Sequence, residues 1–487
     1  MLARPRSVVA LLIALTLALG VGGTTATAAP VAVPGDRPPG APGIGDPYFP
    51  LDGNGGIDVV SYDVHDRYAF RTGRLSGWTQ VRLRGTAPVS SFSLDFLLPV
   101  QRVEVDGRRV RFRQRPHELV VARPLTTGET VDVRVRYAGR PAALGYDGER
   151  NWLAGPSEVV AMNQPHMAPW WFPANDHPAD KASMRVSITV PSEYAVVANG
   201  RQVRRVERRG RGRGWATTTW RADEPMAPYL AFFAAGRFRF ASGTSDGTPW
   251  LVAVSRGLGP SEQRGSMSLM RRTPEILSWL EGALGDYPFS TVGGLVTSLP
   301  VGFALENQTR PTYPYLGQGA GAELTVVHEL AHQWFGDSVA LRRWSDIWLN
   351  EGAATYFEWR WSEATAGASA ATRLRSMYDA FGPGDPFWSG TVADPCPRGV
   401  GCVDRIFASF VYQRGAMAFQ ALRNRIGDDA FGTLLRRWVA ERAGGHGTTA
   451  EFEALAEEVS GADLDGFFGA WVHTGRKPAD TVANGLG

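Results

Sequence analysis

Cysteine is nearly absent from this chain: only Cys396 and Cys402 occur, both in the segment DPCPRGVGC. No histidine or further cysteine lies near them, which argues against a cysteine-rich metal site. In an exported protein the pair is expected to close a small disulfide loop. Strong net charge is also lacking. The formal balance is +3 over 487 residues, which argues against nucleic acid as the main partner. Beyond the N-terminus no stretch is long and apolar enough for a membrane helix, so no stable membrane insertion is expected once that segment is removed. Internal repeats are missing too. No cysteine follows the N-terminal apolar run, so a lipid-modified N-terminus is not expected.

What is present begins with a secretory pattern. Arg4 and Arg6 precede the apolar run Val8 to Leu19, and Ala26-Thr27-Ala28 matches a small-x-small cleavage site. The reading is a signal peptide over 1–28, a mature start at Ala29 and a secreted, extracellular protein. Residues 29–50 hold seven prolines, from Pro30 to Pro50, and read as an extended linker outside any core. An N-terminal β domain is expected over 51–243, and from about Asp58 to Gly236 the pattern has a period of two. Val131, Val133, Val135 and Tyr137 alternate with Asp132, Arg134 and Arg136, a half-exposed strand. Asp106-Gly107 is a hairpin turn. The basic run RQVRRVERRGRGRGW from Arg201 reads as a solvated hairpin tip rather than a nucleic-acid patch. A turn-rich junction, SGTSDGTP, then leads into residues 244–480, where helical periodicity takes over. Met267 to Leu284 forms an amphipathic stretch around Pro274, with a small sheet near Leu295 to Ala304. The fold class is α+β in two domains, a β-sandwich or saddle-shaped sheet followed by a mostly helical domain.

The chemistry concentrates in VVHELAHQWFGD and the later WLNEG. His328 and His332 stand four apart, hence one turn apart on one helix face. That spacing suits two ligands of a tetrahedral zinc ion. Glu329 leans beside the metal, as a general base for water. Glu351 is the candidate third ligand, and three protein ligands leave a position open for chemistry. Leu324, Val327, Leu330, Ala331 and Trp334 give the helix its apolar cover.

HELAHQWFGD followed by WLNEG, with eighteen residues between His332 and Glu351, resembles the zinc aminopeptidases of the aminopeptidase N and leukotriene A4 hydrolase group. The resemblance runs over roughly residues 55–480. It implies one Zn2+ per chain, a thermolysin-like catalytic domain and peptide substrates with a free N-terminus. GFALEN is similar to the family's exopeptidase motif and places Glu306 on the substrate's amino group, with Ala304 and Asn307 beside it. Phe303 stands where the family usually has Gly, and Leu305 where it has Met, which alters the expected cleft. FVYQRGA is similar to Tyr-x-x-Gly-Ala and makes Tyr412 the catalytic tyrosine. The segment NQPHMAPWWFPANDHPADKA resembles a family segment reading roughly Pro-Cys-x-Asp-x-Pro, with Ala174 replacing Cys; it sets Gln164 as a second contact to the amine. His166 and His177 there read as structural. Many relatives carry a long helical domain after the catalytic one, so a two-domain form with a more open cleft is implied. Two other readings stay open: a zinc epoxide hydrolase on the same site, and a non-catalytic secreted binding protein.

Overall fold

The computed structural model describes residues 37–208, 214–317 and 319–487. The expected signal segment, its Ala29 cleavage point and the tip of the basic hairpin at 209–213 lie outside these. The two-residue period does become sheet. In chain order the strands are β1 Ile57–Ala69, β2 Arg74–Gly85, β3 Phe92–Asp95, β4 Val100–Val105, β5 Arg108–Arg109, β6 Phe112–Gln114, β7 Glu118–Val121 and β8 Thr130–Gly139. After them come β9 Leu153–Ala154, β10 Val159–Ala161, β11 Ala182–Pro191, β12 Ala195–Ala198, β13 Arg201–Arg208, β14 Trp215–Met226 and β15 Phe233–Gly236.

Eight of these form one sheet in the order β13-β14-β11-β1-β2-β8-β4-β5. In β8 the residues Val131, Val133, Val135 and Tyr137 are buried, while Asp132, Arg134 and Arg136 are not, as alternation requires. Asp106 and Gly107 both take positive φ between β4 and β5, the requirement of a two-residue hairpin turn. Two smaller sheets, β3-β7-β6 and β12-β15-β10-β9, cover the apolar side. Phe96 meets Tyr137 edge-on, and Phe233 packs on Trp171 and Trp152. Each such fully buried ring contributes about 1.5–3 kcal/mol relative to an exposed one. The basic run forms the edge strand β13, whose side chains are largely exposed. That agrees with a solvated hairpin.

The linker expectation needs correction for its second half. Residues 38–50 lack regular structure but pack into the fold: Tyr48 and Phe49 are buried. Asp46 accepts from the backbone N–H of Tyr48 and of Trp344 and pairs with His177. Phe49 stands edge-on to His166 and Trp344. Proline fixes φ without preventing burial, and two adjacent aromatics supply the apolar area.

The expected change at 243/244 falls inside a strand. β16 Phe238–Ser245 pairs with β17 Thr248–Ser255, and this hairpin continues into β18 Val292–Val296 and β19 Thr312–Tyr313 as one four-stranded sheet. That sheet therefore starts at Phe238, and the turn-rich SGTSDGTP is its hairpin. The amphipathic stretch around Pro274 is two helices, α1 Pro260–Met270 and α2 Thr273–Leu284. Proline is tolerated only in the first turn, so a new helix begins there. The remaining helices are α3 Ala320–Ala331, α4 Trp348–Ala364, α5 Ala370–Ala380, α6 Cys402–Arg405, α7 Ser409–Ile426, α8 Asp428–Glu441, α9 Thr449–Ser460 and α10 Asp465–Trp471. Cys396 and Cys402 form a disulfide. Among the described residues no helix is long and apolar enough to cross a membrane.

Candidate metal centre and cleft

Helix α3 carries His328 and Glu329, and His332 follows as its C-terminal cap. Glu351 lies in the first turn of α4, which packs against α3. The Nε2 atoms of His328 and His332 lie 3.3 and 3.5 Å from Glu351 Oε2. The other ring nitrogens are already engaged. His328 Nδ1 is 2.7 Å from Glu358 Oε1, and His332 Nδ1 is 3.0 Å from the Phe335 carbonyl. Acceptors at Nδ1 fix the tautomer that turns an Nε2 lone pair toward Glu351. Three acceptor atoms then face one another and call for a cation. The donor set of two imidazoles and one carboxylate fits zinc, with a position left open.

The surrounding carboxylates likewise demand positive charge here, met by protonated imidazoles when no metal is bound. Burial opposes protonation of His328, yet Glu351 and Glu358 outweigh it and hold the imidazole well above its ordinary range. His332 moves the same way against burial, through Glu351 and Glu306. Burial would raise Glu351, but His332 and His328 pull it down to about 2. Glu329 is pushed up to about 8 by burial, against the pull of both histidines. A cation held by the three ligands would lower it again, toward the ionised form that a general base needs.

These groups line a cleft of about 250 Å³ together with Gln164, Phe303, Ala304, Glu306 and Tyr412. Glu306 sits on the loop between β18 and β19, almost fully buried. Its Oε1 accepts from Gln164 Nε2 at 3.0 Å and from the Tyr229 hydroxyl at 3.1 Å. Burial raises its pKa, so its charge is unfavourable without a cation. Tyr412, on α7, stacks on His328 with ring centroids 6.0 Å apart. Burial and then Glu351, Glu306 and Glu329 hold its phenol well above the usual range. The hydroxyl therefore stays a donor. Phe303 is 44% exposed at the cleft wall.

One expectation needs correction. Asn307 does not line the cleft; it is fully buried, and its Nδ2 donates to the Leu230 carbonyl. It fastens the loop rather than meeting a ligand. Four residues escaped the sequence reading. Glu358 lies seven after Glu351, two turns along the same face, so its role was readable from spacing. Gln333 holds the Glu306 carbonyl and the Thr309 N–H. Arg310 donates to the carbonyls of Ala198 and Gly200, tying the Glu306 loop to the N-terminal sheets. Tyr229 and Arg310 leave no local signal, because their partners are remote in sequence.

The family model described as the peptidase family M1 domain matches residues 311–471, and the peptidase M1 N-terminal domain matches residues 100–230. The chain belongs to peptidase family M1. Its two-part architecture is that of M1 structures. A crystal structure of a mutant M1 zinc metallopeptidase from Deinococcus radiodurans, bound to a Tyr-Ser-Ala substrate, is 29% identical. It superposes with a TM-score of 0.78, covering 90% of this chain and 100% of that one. Aminopeptidase M1-B of Oryza sativa subsp. japonica is 25% identical over 452 residues, 85% of this chain and 49% of that protein. Aminopeptidase Ey of Gallus gallus is 28% identical over 286 residues, 53% of this chain and 28% of its own length. The chain spans half or less of the length of these two M1 relatives.

Proposed function

We propose that this M1 protein is a secreted, zinc-dependent aminopeptidase that hydrolyses the first peptide bond of peptides with a free N-terminus. Zinc is the ion for His328, His332 and Glu351. A zinc ion held there supplies Lewis-acid chemistry, polarising a carbonyl and making water a better acid. The observation that carries the exopeptidase reading is Glu306. It is a buried carboxylate with two neutral donors, in the same cleft as the three ligands. Gln164 and Tyr229 both use Oε1, which leaves the second oxygen for a substrate ammonium. A group held there sets the register of the chain, so that the first carbonyl meets the metal centre. Glu329 takes the proton of the attacking water and returns it to the leaving amine. Tyr412 donates to the developing oxyanion.

Aminoacyl anilides, each with an N-acetylated counterpart, test the reading with and without a chelator. Turnover of the free-amino compounds only, abolished by chelation and restored by zinc, is expected. Equal turnover of the blocked compounds contradicts an aminopeptidase. Export is tested separately, by sequencing the N-terminus of protein recovered from culture medium. A start at Ala29 is expected.

A further inference from the structure

Strand register creates a second convergence of metal-ligating side chains, in the N-terminal sheets. Asp95 ends β3 and Glu118 begins β7, and the antiparallel register sets them directly opposite. Carboxylates placed so repel one another. His117 precedes Glu118 and joins them, its ring lying flat against Tyr146 with centroids 4.1 Å apart. Asp95, His117 and Glu118 are 0, 3 and 5% exposed. His117 Nδ1 lies 3.6 Å from Asp95 Oδ1 and 3.7 Å from Glu118 Oε1. Those separations are too long for good hydrogen bonds. They are close to the 3.3 and 3.5 Å at the His328, His332 and Glu351 centre. Bonds of about 2.0–2.2 Å to one ion at the centre of a tetrahedron put ligand atoms about 3.3–3.6 Å apart.

Five polar atoms around this point make no hydrogen bond of good geometry, although Asp95 and Ser93 lie near enough to Glu118 to lower its pKa against burial. The five are Asp95 Oδ1, both ring nitrogens of His117 and both carboxylate oxygens of Glu118. Buried polar atoms are otherwise almost always satisfied. Nearby charge does not offset the acids. Asp52 lies close enough to raise both Asp95 and Glu118, and the pull of Arg115 on Glu118 is smaller than the effect of burial. His166 is held between Asp52 and Glu149.

We propose that Asp95, His117 and Glu118 form a second, structural site for a divalent transition-metal cation, zinc or manganese. One imidazole and two carboxylates suit these ions, whereas calcium takes six to eight oxygens. The ion pins the short β3-β7-β6 sheet to the segments around Asn54 and Asp176. Both of these donate to the other oxygen of Asp95, from Asn54 Nδ2 at 3.3 Å and the Asp176 N–H at 2.7 Å. No part of the peptidase reading enters this inference.

Metal counting tests it on the full chain, stripped with a chelator, reloaded with zinc alone or manganese alone, and freed of excess ion. Two equivalents are expected with at least one of the two ions. Glu118→Gln and His117→Ala should each bind one, and so should a His328→Ala/His332→Ala double variant. One equivalent in the wild type, falling to none in that double variant, overturns the proposal; a proton shared between Asp95 and Glu118 then serves instead. If the His117 and Glu118 variants do not fold, anomalous diffraction from wild-type crystals grown with each ion decides. A peak about 2.1 Å from His117 Nδ1 supports the site. A peak at His328 and His332 with none at His117, for both ions, overturns it.

Discussion

Gly352 of α4 and Gly415 of α7 lie against each other with no side chain between them. A Cβ on Gly352 would stand 2.9 Å from the Gly415 Cα, and one on Gly415 would stand 2.8 Å from the Gly352 Cα. Gly352 follows the ligand Glu351, and Gly415 lies three residues after Tyr412. The absence of two methyl groups thus sets the distance between a metal ligand and the proposed oxyanion donor. Alanine at Gly415 would gain about 1 kcal/mol of helix propensity. Overpacking against backbone costs about 1–3 kcal/mol and outweighs it. Gly415→Ala is therefore expected to lower Tm and to reduce kcat more than zinc content. Gly282→Ala in α2, with nothing within 4 Å of the added Cβ, should leave Tm level or raise it. Thermal melts of both variants check the contrast.

Glu358 holds His328 from behind the metal centre. Losing such an outer partner typically costs 10–100-fold in metal affinity. Glu358→Ala should weaken zinc binding by about that factor in a chelator competition, while His332, held by the Phe335 carbonyl, keeps its orientation. Unchanged affinity would assign Glu358 to the surface only.

Tyr229 and Gln164 share one oxygen of Glu306. Hydrogen bonds to a charged group are worth about 1.5–3 kcal/mol. Tyr229→Phe is expected to raise KM for free-amino substrates roughly 10–100-fold, with kcat less affected. Glu306→Ala should cost more. A steady-state comparison across these variants orders the contributions.

Asp66 supplies a pH prediction far from the cleft. It is buried on β1, accepting from Trp171 Nε1 at 3.0 Å and the Tyr137 hydroxyl at 3.3 Å. Burial raises its pKa from 3.8 to about 7 despite these donors. A raised folded-state value means its stabilising contribution is complete below pH 4 and is lost as pH rises to about 7. The loss is up to about 4 kcal/mol. Asp66→Asn removes the titration, so denaturant unfolding at pH 5 and pH 8 should show a smaller difference in the variant than in wild type.

Much of the metal centre was legible because its geometry is local. Four residues on a helix make one turn, and His328 and His332 need nothing else to share a face. Glu306 and Tyr412 were readable only through motif likeness, since no spacing joins them to the histidines. Asn307 was misplaced for the same reason: adjacency in GFALEN does not say which neighbour turns inward. Tyr229, Arg310 and the opposed pair Asp95 and Glu118 depend on sheet register and long-range packing, which a linear pattern does not encode. Tyr48 and Phe49 were hidden by the prolines around them.

The central claim is that Glu329 moves protons beside a metal it does not hold. Zinc content and turnover of Glu329→Gln, measured on the same folded sample, test it most directly. The catalytic zinc should remain at wild-type content, with turnover of an aminoacyl anilide reduced roughly 10²–10⁴-fold. Turnover near wild type with that zinc in place would contradict the account.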